Sequence, residues 1–264
     1  MVSPKKHLGQ NFLTNKSICD RIASCVDYKG EFVIEIGGGM GALTDFILQK
    51  EPAFLLCIEK DIEAFAFLQE KYQNREDVKI VNLDATQIKF TNFLQEFGYE
   101  KCHIIGNLPY NVGTTIVINL MEEIGCIRSI VVMLQKEVID RIIAKERTKD
   151  YGRVSVLLQS LCDVKKQFDV NKNNFFPIPK VESSVVKIVP KNVLLDKEFY
   201  KKIDFLCKTL FQNRRKVIFR QLLEFGLNDE FLLDDLKLTK NVRAEELSVE
   251  KFVKIAELIC QNQQ

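Results

Sequence analysis

The stretch Phe32-Val-Ile-Glu-Ile-Gly-Gly-Gly-Met-Gly-Ala-Leu-Thr44 decides the fold of this chain. It opens as an apolar run interrupted only by Glu35, crosses glycines at 37, 38, 39 and 41, and resumes with Leu43, Phe46 and Ile47 at helical spacing. A strand buried on both faces, a glycine turn and a covering helix read in that order, which is one βα unit of a parallel sheet. The rhythm continues through Phe54 to Ile58, Val78 to Val81, His103 to Ile105 and Ile130 to Leu134, each run followed by a helical pattern. Cap residues agree: Thr14 or Asn15 precedes the helix carrying Ile18, Ile22, Cys25 and Val26, and Asp61 precedes Ile62, Phe65, Ala66 and Leu68. A helix around Val154 to Cys162 and a strand pair, Lys166 to Val170 and Ser183 to Val189, complete a mostly parallel seven-stranded α/β domain over residues 1–190. Beyond Pro190-Lys191-Asn192 strand-like runs stop. Amphipathic helical patterns take over, so residues 191–264 are expected to form a small α-helical domain.

Composition narrows the class. With 264 residues, 46% of them hydrophobic, the chain can bury a full core and a second smaller unit. The net charge of +2 argues for no bulk polyanion binding, but residues 197–220 carry eight bases against two acids, so one basic face is expected. Eight cysteines with no C-x-x-C pair, mostly inside apolar runs, read as reduced and buried. His7 and His103 have no ligand spacing around them, so no metal site is expected. There is no signal-peptide core and no apolar run long enough for a membrane span; a cytoplasmic protein is the expectation.

The glycine loop is not the dinucleotide fingerprint. Position 42 is Ala, and the third glycine of a G-x-G-x-G spacing falls at Gly41, one residue early for G-x-G-x-x-G. Glycines here let backbone pass close under a bulky cofactor with no Cβ in the way and no pyrophosphate to cradle. Glu59 ends the second run, twenty residues beyond Gly39, where a carboxylate accepts two ribose hydroxyls; Asp84 follows the third run, where one accepts an adenine amino group. Either acid could instead be a loop or capping charge. The pattern is the one associated with S-adenosylmethionine in Rossmann-like class I methyltransferases.

Asn107-Leu108-Pro109-Tyr110 then closes the fourth run. An exocyclic amine on adenine is a poor nucleophile because its lone pair is delocalised into the ring. The Asn107 side-chain oxygen and the backbone around Pro109 offer acceptors to the amine protons and so turn that lone pair toward an electrophilic methyl. Tyr110 offers a face on which an extruded base stacks, worth about 1–3 kcal/mol, which is comparable with the cost of unstacking it. Phe175 and Phe176, in a proline-bracketed loop, are candidates for the other side of a base sandwich, or for a plug at the sheet edge.

The chain resembles the KsgA-type small-subunit rRNA adenine N6,N6-dimethyltransferases nearly end to end. The resemblance rests on Lys6-His-Leu-Gly-Gln-Asn-Phe-Leu13, Glu35-Ile-Gly-Gly-Gly-Met-Gly-Ala-Leu-Thr44, Gly106-Asn-Leu-Pro-Tyr-Asn111, Leu134-Gln-Lys-Glu-Val138, Tyr151-Gly-Arg-Val-Ser-Val-Leu157 and Phe176-Pro-Ile-Pro-Lys-Val-Glu-Ser184. It implies transfer of methyl groups from S-adenosylmethionine to two adjacent adenosines near the 3′ end of 16S rRNA within the assembling 30S subunit, by a monomer. It also implies that Asn11, Leu13, Gly37, Gly39, Glu59, Asp84 and Asn107 line the cofactor, the first two on similarity alone. Gly38 departs from the family, where Pro is frequent, and should loosen the loop slightly without removing a contact. Arg147, Arg153, Lys208, Arg214, Arg215, Lys216 and Arg220 are candidate phosphate contacts, against the alternative of a solvated charged face. A large-subunit, Erm-type methyltransferase and a binding factor of the same fold, acting in assembly or transcription, are the competing readings. Leu108, the Tyr151-Gly-Arg block and Phe176-Pro-Ile-Pro favour the small-subunit side; the intact Glu59, Asp84 and Asn107 to Tyr110 favour an enzyme.

Overall fold

The computed structural model describes residues 4–5, 8–191, 197–212 and 214–261. Its packing divides into two compact units, residues 1–139 with 164–190, and residues 140–163 with 191–264.

In the first unit the apolar runs become strands. They are β1 (Phe12–Leu13), β2 (Phe32–Ile36), β3 (Phe54–Glu59), β4 (Val78–Asn82), β5 (Cys102–Asn107), β6 (Ile127–Gln135), β7 (Cys162–Val170), β8 (Phe175–Phe176) and β9 (Ser183–Pro190). Seven of them form one sheet in the order β4-β3-β2-β5-β6-β9-β7. The β2/β3, β2/β5, β3/β4 and β5/β6 pairs are parallel, and β9 runs antiparallel to β6. All five residues of β2 are buried, as a central strand covered on both faces requires. Helices α1 (Lys16–Ala23), α2 (Ala42–Leu48), α3 (Ile62–Tyr72), α4 (Phe90–Phe97), α5 (Gly113–Met121) and α6 (Lys136–Ile142) follow in chain order. Asn15 is the cap of α1, its side chain accepting from the Ser17 and Ile18 amides, and Asp61 caps α3 in the same way through Glu63 and Ala64. Each such cap is worth about 1 kcal/mol. One core cluster joins Ile22, Ile47, Leu55, Leu68, Ile105, Met133 and Phe175.

A small ribbon was not foreseen. β1 pairs antiparallel with β8, setting Phe12 opposite Phe176 and Leu13 opposite Phe175, so the N-terminal segment is seated on the proline-bracketed loop.

The second unit contains α7 (Arg153–Leu161), α8 (Lys197–Phe211), α9 (Phe219–Glu224) and α10 (Val249–Gln261). Residues 140–163, expected with the sheet, pack with these helices instead. The buried Tyr151 hydroxyl donates to the Leu247 carbonyl at 2.8 Å, and Arg153 reaches Asp204 of α8 at 2.8 Å. Apolar spacing in α7 announces a buried helix and is silent on which core buries it. Val217, expected in a helix, forms an isolated antiparallel bridge with Arg243, and α9 begins at Phe219.

Among the described residues seven cysteines stand outside any disulfide; five are buried, while Cys25 and Cys126 are partly exposed. Burial pushes the Cys19 thiol up to about 11 and also raises Cys25 and Cys57. His103 is buried, its Nδ1 lying 2.8 Å from the Ser129 hydroxyl. His7 and the Cys260 side chain lie outside the described residues. No described helix is long and apolar enough to cross a membrane.

Candidate active site

Strand order reverses direction between β2 and β5, and at such a switch point the loops leaving the two strands part and open a crevice at their carboxyl ends. The loop after β2 carries the glycines. Gly37, Gly39 and Gly41 adopt φ of 81°, 56° and 74°, the left-handed region that costs other residues about 1–2 kcal/mol. The Gly37 amide donates to the Ile58 carbonyl at 2.8 Å, and the Gly39 amide to Glu59 Oε2 at 2.9 Å. The other Glu59 oxygen accepts from the Asp61 amide at 2.8 Å. Burial raises the Glu59 pKa, opposed by these two amides, so the carboxylate is fixed by the loop it supports.

Beneath the loop lies Glu35, fully buried. Thr44 of α2 donates to its Oε2 at 2.6 Å, while Oε1 is buried without a partner. Burial pushes this carboxyl up to about 7.

Across the crevice, Asn107 ends β5. Its Nδ2 donates to the Asn11 carbonyl at 3.0 Å, which occupies the donor end of the amide and leaves Oδ1 as the acceptor. The Leu108 amide is tied to the Met133 carbonyl at 3.2 Å. The Pro109 carbonyl accepts from the Val112 and Gly113 amides at the start of α5, so it is not the second acceptor expected of that position. The Tyr110 hydroxyl lies 2.5 Å from the Ser183 hydroxyl, which fixes the ring's direction; burial raises its pKa, keeping it neutral.

Leu8 to Phe12, Gly37, Gly39, Glu59, Lys60 and Asn107 to Tyr110 together line one cleft. The approach is built for glycine: a Cβ on Gly39 would stand 3.0 Å from the Phe12 ring, and one on Gly37 would stand 3.3 Å from the Asn107 carbonyl. A glycine cradle, one anchored carboxylate and a neutral amide suit a nucleoside that carries an amino-acid tail and no phosphate.

Not every expected residue reaches this cleft. Leu13 is 5% exposed and belongs to the core, because neighbours on an extended strand point to opposite faces and Phe12 takes the cleft side. Asp84 is also absent from the lining: its carboxylate accepts from the Thr86 amide and hydroxyl at 2.9 and 2.7 Å and pairs with Lys60 at 2.7 Å. Phe175 is 2% exposed and plugs the core, whereas Phe176 is 62% exposed and open to a ligand. Leu8, Gly9, Gln10, Phe12 and Lys60 were missed by motif reading. The period-two alternation of Phe12 and Leu13 was the signal that could have found Phe12.

The basic residues of the helical unit separate in the same way. Arg214 is held at each of its three guanidinium nitrogens, donating to Glu245 at 2.6 Å and to the Lys149 and Thr148 carbonyls at 2.7 and 3.0 Å. Arg153 and Lys208 both pair with Asp204, at 2.8 and 2.6 Å. Arg147, Arg215, Lys216 and Arg220 are exposed. Arg215 and Lys216 share a surface groove with Lys149, Arg214 and Arg243, the last of which motif reading missed.

A mostly parallel sheet with a glycine loop and an acid at the ends of β2 and β3 is the architecture of a class I S-adenosylmethionine-dependent methyltransferase. Residues 1–261 match the model of the ribosomal RNA adenine dimethylase family, and the chain belongs to that family. It is 37% identical over 255 residues to the ribosomal RNA small subunit methyltransferase A of Sulfurihydrogenibium sp. (strain YO3AOP1), covering 96% of this chain and 95% of that one. Its fold is similar to a dimethyladenosine transferase from Plasmodium falciparum, with a TM-score of 0.78, 21% identity and coverage of 96% and 98%. It is also similar to the 23S rRNA methyltransferase ErmE, with a TM-score of 0.72, 22% identity and coverage of 95% and 100%. Both structural likenesses speak to fold.

Proposed function

We propose that this S-adenosylmethionine-dependent rRNA adenine dimethyltransferase acts on the N6 amino groups of two adjacent adenosines near the 3′ end of 16S rRNA, within the assembling small subunit and as a monomer. The observation that carries the reading is the placement of Asn107 and Tyr110 on the wall of the cleft that also holds Gly37, Gly39 and Glu59. The near full-length relative named for the small subunit supports that substrate over a large-subunit RNA.

In this reading Gly37 and Gly39 lie against the cofactor, Glu59 accepts from its ribose, and Asn11 and Phe12 cover it. Asp84 acts on the cleft only through Lys60. When bound, the cofactor supplies an electrophilic methyl group on a sulfonium. The chain does the rest by orientation. Asn107 Oδ1 and the Leu108 carbonyl accept the two amine protons of the target base and hold its nitrogen lone pair toward the methyl group. Tyr110 and Phe176 clasp the base, and no strong base is required. Arg147, Arg215, Lys216 and Arg220, all exposed, neutralise RNA phosphates in the helical unit.

The test is to incubate the protein with radiolabelled S-adenosylmethionine and undermethylated small subunits, then digest the RNA and identify the labelled nucleoside. N6,N6-dimethyladenosine is expected, with protein-free 23S RNA a poor substrate. Label in cytosine or in protein defeats the reading.

A further inference from the structure

Four glycines stand at 37, 38, 39 and 41, and three of them are demanded by a left-handed φ. Gly38 is not. What keeps a side chain out of position 38 is space, since a Cβ there would lie 2.4 Å from the Cys57 sulfur and 3.0 Å from Leu68 Cδ1. Gly38 was expected to loosen the loop with no contact at stake; instead a sulfur atom fills the space beneath it.

Cys57 sits in the middle of β3 at 0% exposure. Its sulfur lies directly beneath Gly38, and the β2/β3 pairing sets Cys57 opposite the buried Glu35. The neighbours of Cys57 hold the neighbours of Gly38: the Gly37 amide goes to the Ile58 carbonyl at 2.8 Å and the Gly39 amide to the Glu59 carboxylate at 2.9 Å. Three successive loop residues are therefore seated on three successive residues of β3, the outer two through their amides and Gly38 by packing on the Cys57 sulfur. The middle one rests on a side chain whose size is adjustable by substitution, while the outer two rest on a strand carbonyl and an anchored carboxylate.

We infer that Cys57 is a positioning residue for the cofactor loop, its thiol serving as the floor on which Gly38 rests, so that the matched sizes of residues 38 and 57 set how Gly37 and Gly39 meet the cofactor. The inference rests on the reading that Gly37 and Gly39 hold the cofactor, and goes beyond it by making a fully buried residue outside the cleft a determinant of cofactor affinity.

The experiment is a double-mutant cycle on the full chain with Gly38→Ala, Cys57→Ala and the pair together. Calorimetric binding of S-adenosylhomocysteine and thermal midpoints are measured, with the KM values for S-adenosylmethionine and for RNA taken separately. Gly38→Ala alone is expected to weaken binding by about tenfold or more, and the double variant to return to within about threefold of the unsubstituted protein, because removing the sulfur opens the space the new methyl needs. The KM for S-adenosylmethionine should follow the binding constant while the KM for RNA stays put. If Gly38→Ala does not fold, a folded and binding double variant is the same rescue. A double variant as weak as Gly38→Ala, or a Gly38→Ala protein that binds normally, overturns the inference. Failure of the unsubstituted protein to bind S-adenosylhomocysteine removes the cofactor reading itself, and this inference with it.

Discussion

Asn107 and Asn11 are 96 residues apart in the chain and meet at 3.0 Å, the side-chain amide of one donating to the backbone carbonyl of the other. A backbone acceptor fixes which end of the Asn107 amide is donor and which is acceptor, and the reaction needs the acceptor. Asn107→Ala is therefore expected to lower kcat by about 10²–10³, the size of effect typical for one preorganised polar group at a reacting centre, with S-adenosylhomocysteine affinity changed by less than about tenfold. Single-turnover methyl transfer alongside calorimetry separates the two. Equal losses in both would mean that Asn107 serves binding and not chemistry.

Phe175 and Phe176 are adjacent, and the antiparallel β1/β8 pairing turns them to opposite sides. Phe175→Ala should cost about 3–5 kcal/mol of stability, the range for a large buried aromatic. Phe176→Ala should leave the melting point unchanged and lower kcat/KM for RNA by roughly ten- to a hundredfold, the worth of one stacked base. A fluorescent purine at the target position would report the lost stacking directly. Normal RNA kinetics in Phe176→Ala removes the base clasp from the mechanism.

Much of this was legible in the sequence because it rests on short-range physics. The β2 boundaries follow from an apolar run that only Glu35 interrupts, and Asn15 and Asp61 cap helices because short side chains with an acceptor oxygen satisfy the first amides. What stayed hidden depends on partners distant in the chain. Asp84 looked like Glu59, an acid just past a strand, but Lys60 and Thr86 take up its carboxylate, and neither pairing has a local signature. The placing of α7 with the sheet failed for the same reason, since an apolar stripe does not say which core it faces.

Arg214 and its neighbours should part company under mutation. Arg214→Ala removes hydrogen bonds to Glu245, Thr148 and Lys149 and is expected to lower stability by about 1–3 kcal/mol through those lost partners. Arg215→Ala and Lys216→Ala, at exposed positions, should leave the melting point alone. Each should instead flatten the salt dependence of RNA binding by about 0.7 in the log–log slope, the share of one neutralised single-strand phosphate. Titrations from low to high salt measure this. An unchanged slope in the Arg215/Lys216 double variant returns these residues to the status of a solvated face.

Glu35 gives the protein a pH dependence of definite sign. Its carboxyl has an ordinary value of 4.5 and is pushed up to about 7 by burial, so between those limits the folded protein holds a proton that the unfolded chain has released. Stability is present in full below pH 4.5 and is lost as pH rises through about 7, by an amount on the order of 3 kcal/mol. His103, whose pKa is lowered chiefly by burial, works in the opposite sense over part of that range, so the melting curve of one protein mixes the two. Glu35→Gln separates them. Glutamine keeps an oxygen for the Thr44 hydroxyl and carries no charge at any pH, while His103 contributes equally to both proteins and cancels in the difference. The two melting points should lie close together near pH 5 and diverge in favour of Glu35→Gln toward pH 8. A gap that stays constant from pH 5 to 8 would mean that Glu35 keeps one protonation state across the range, and the buried carboxyl beneath the glycine loop would have to be assigned a hydrogen-bonding role alone.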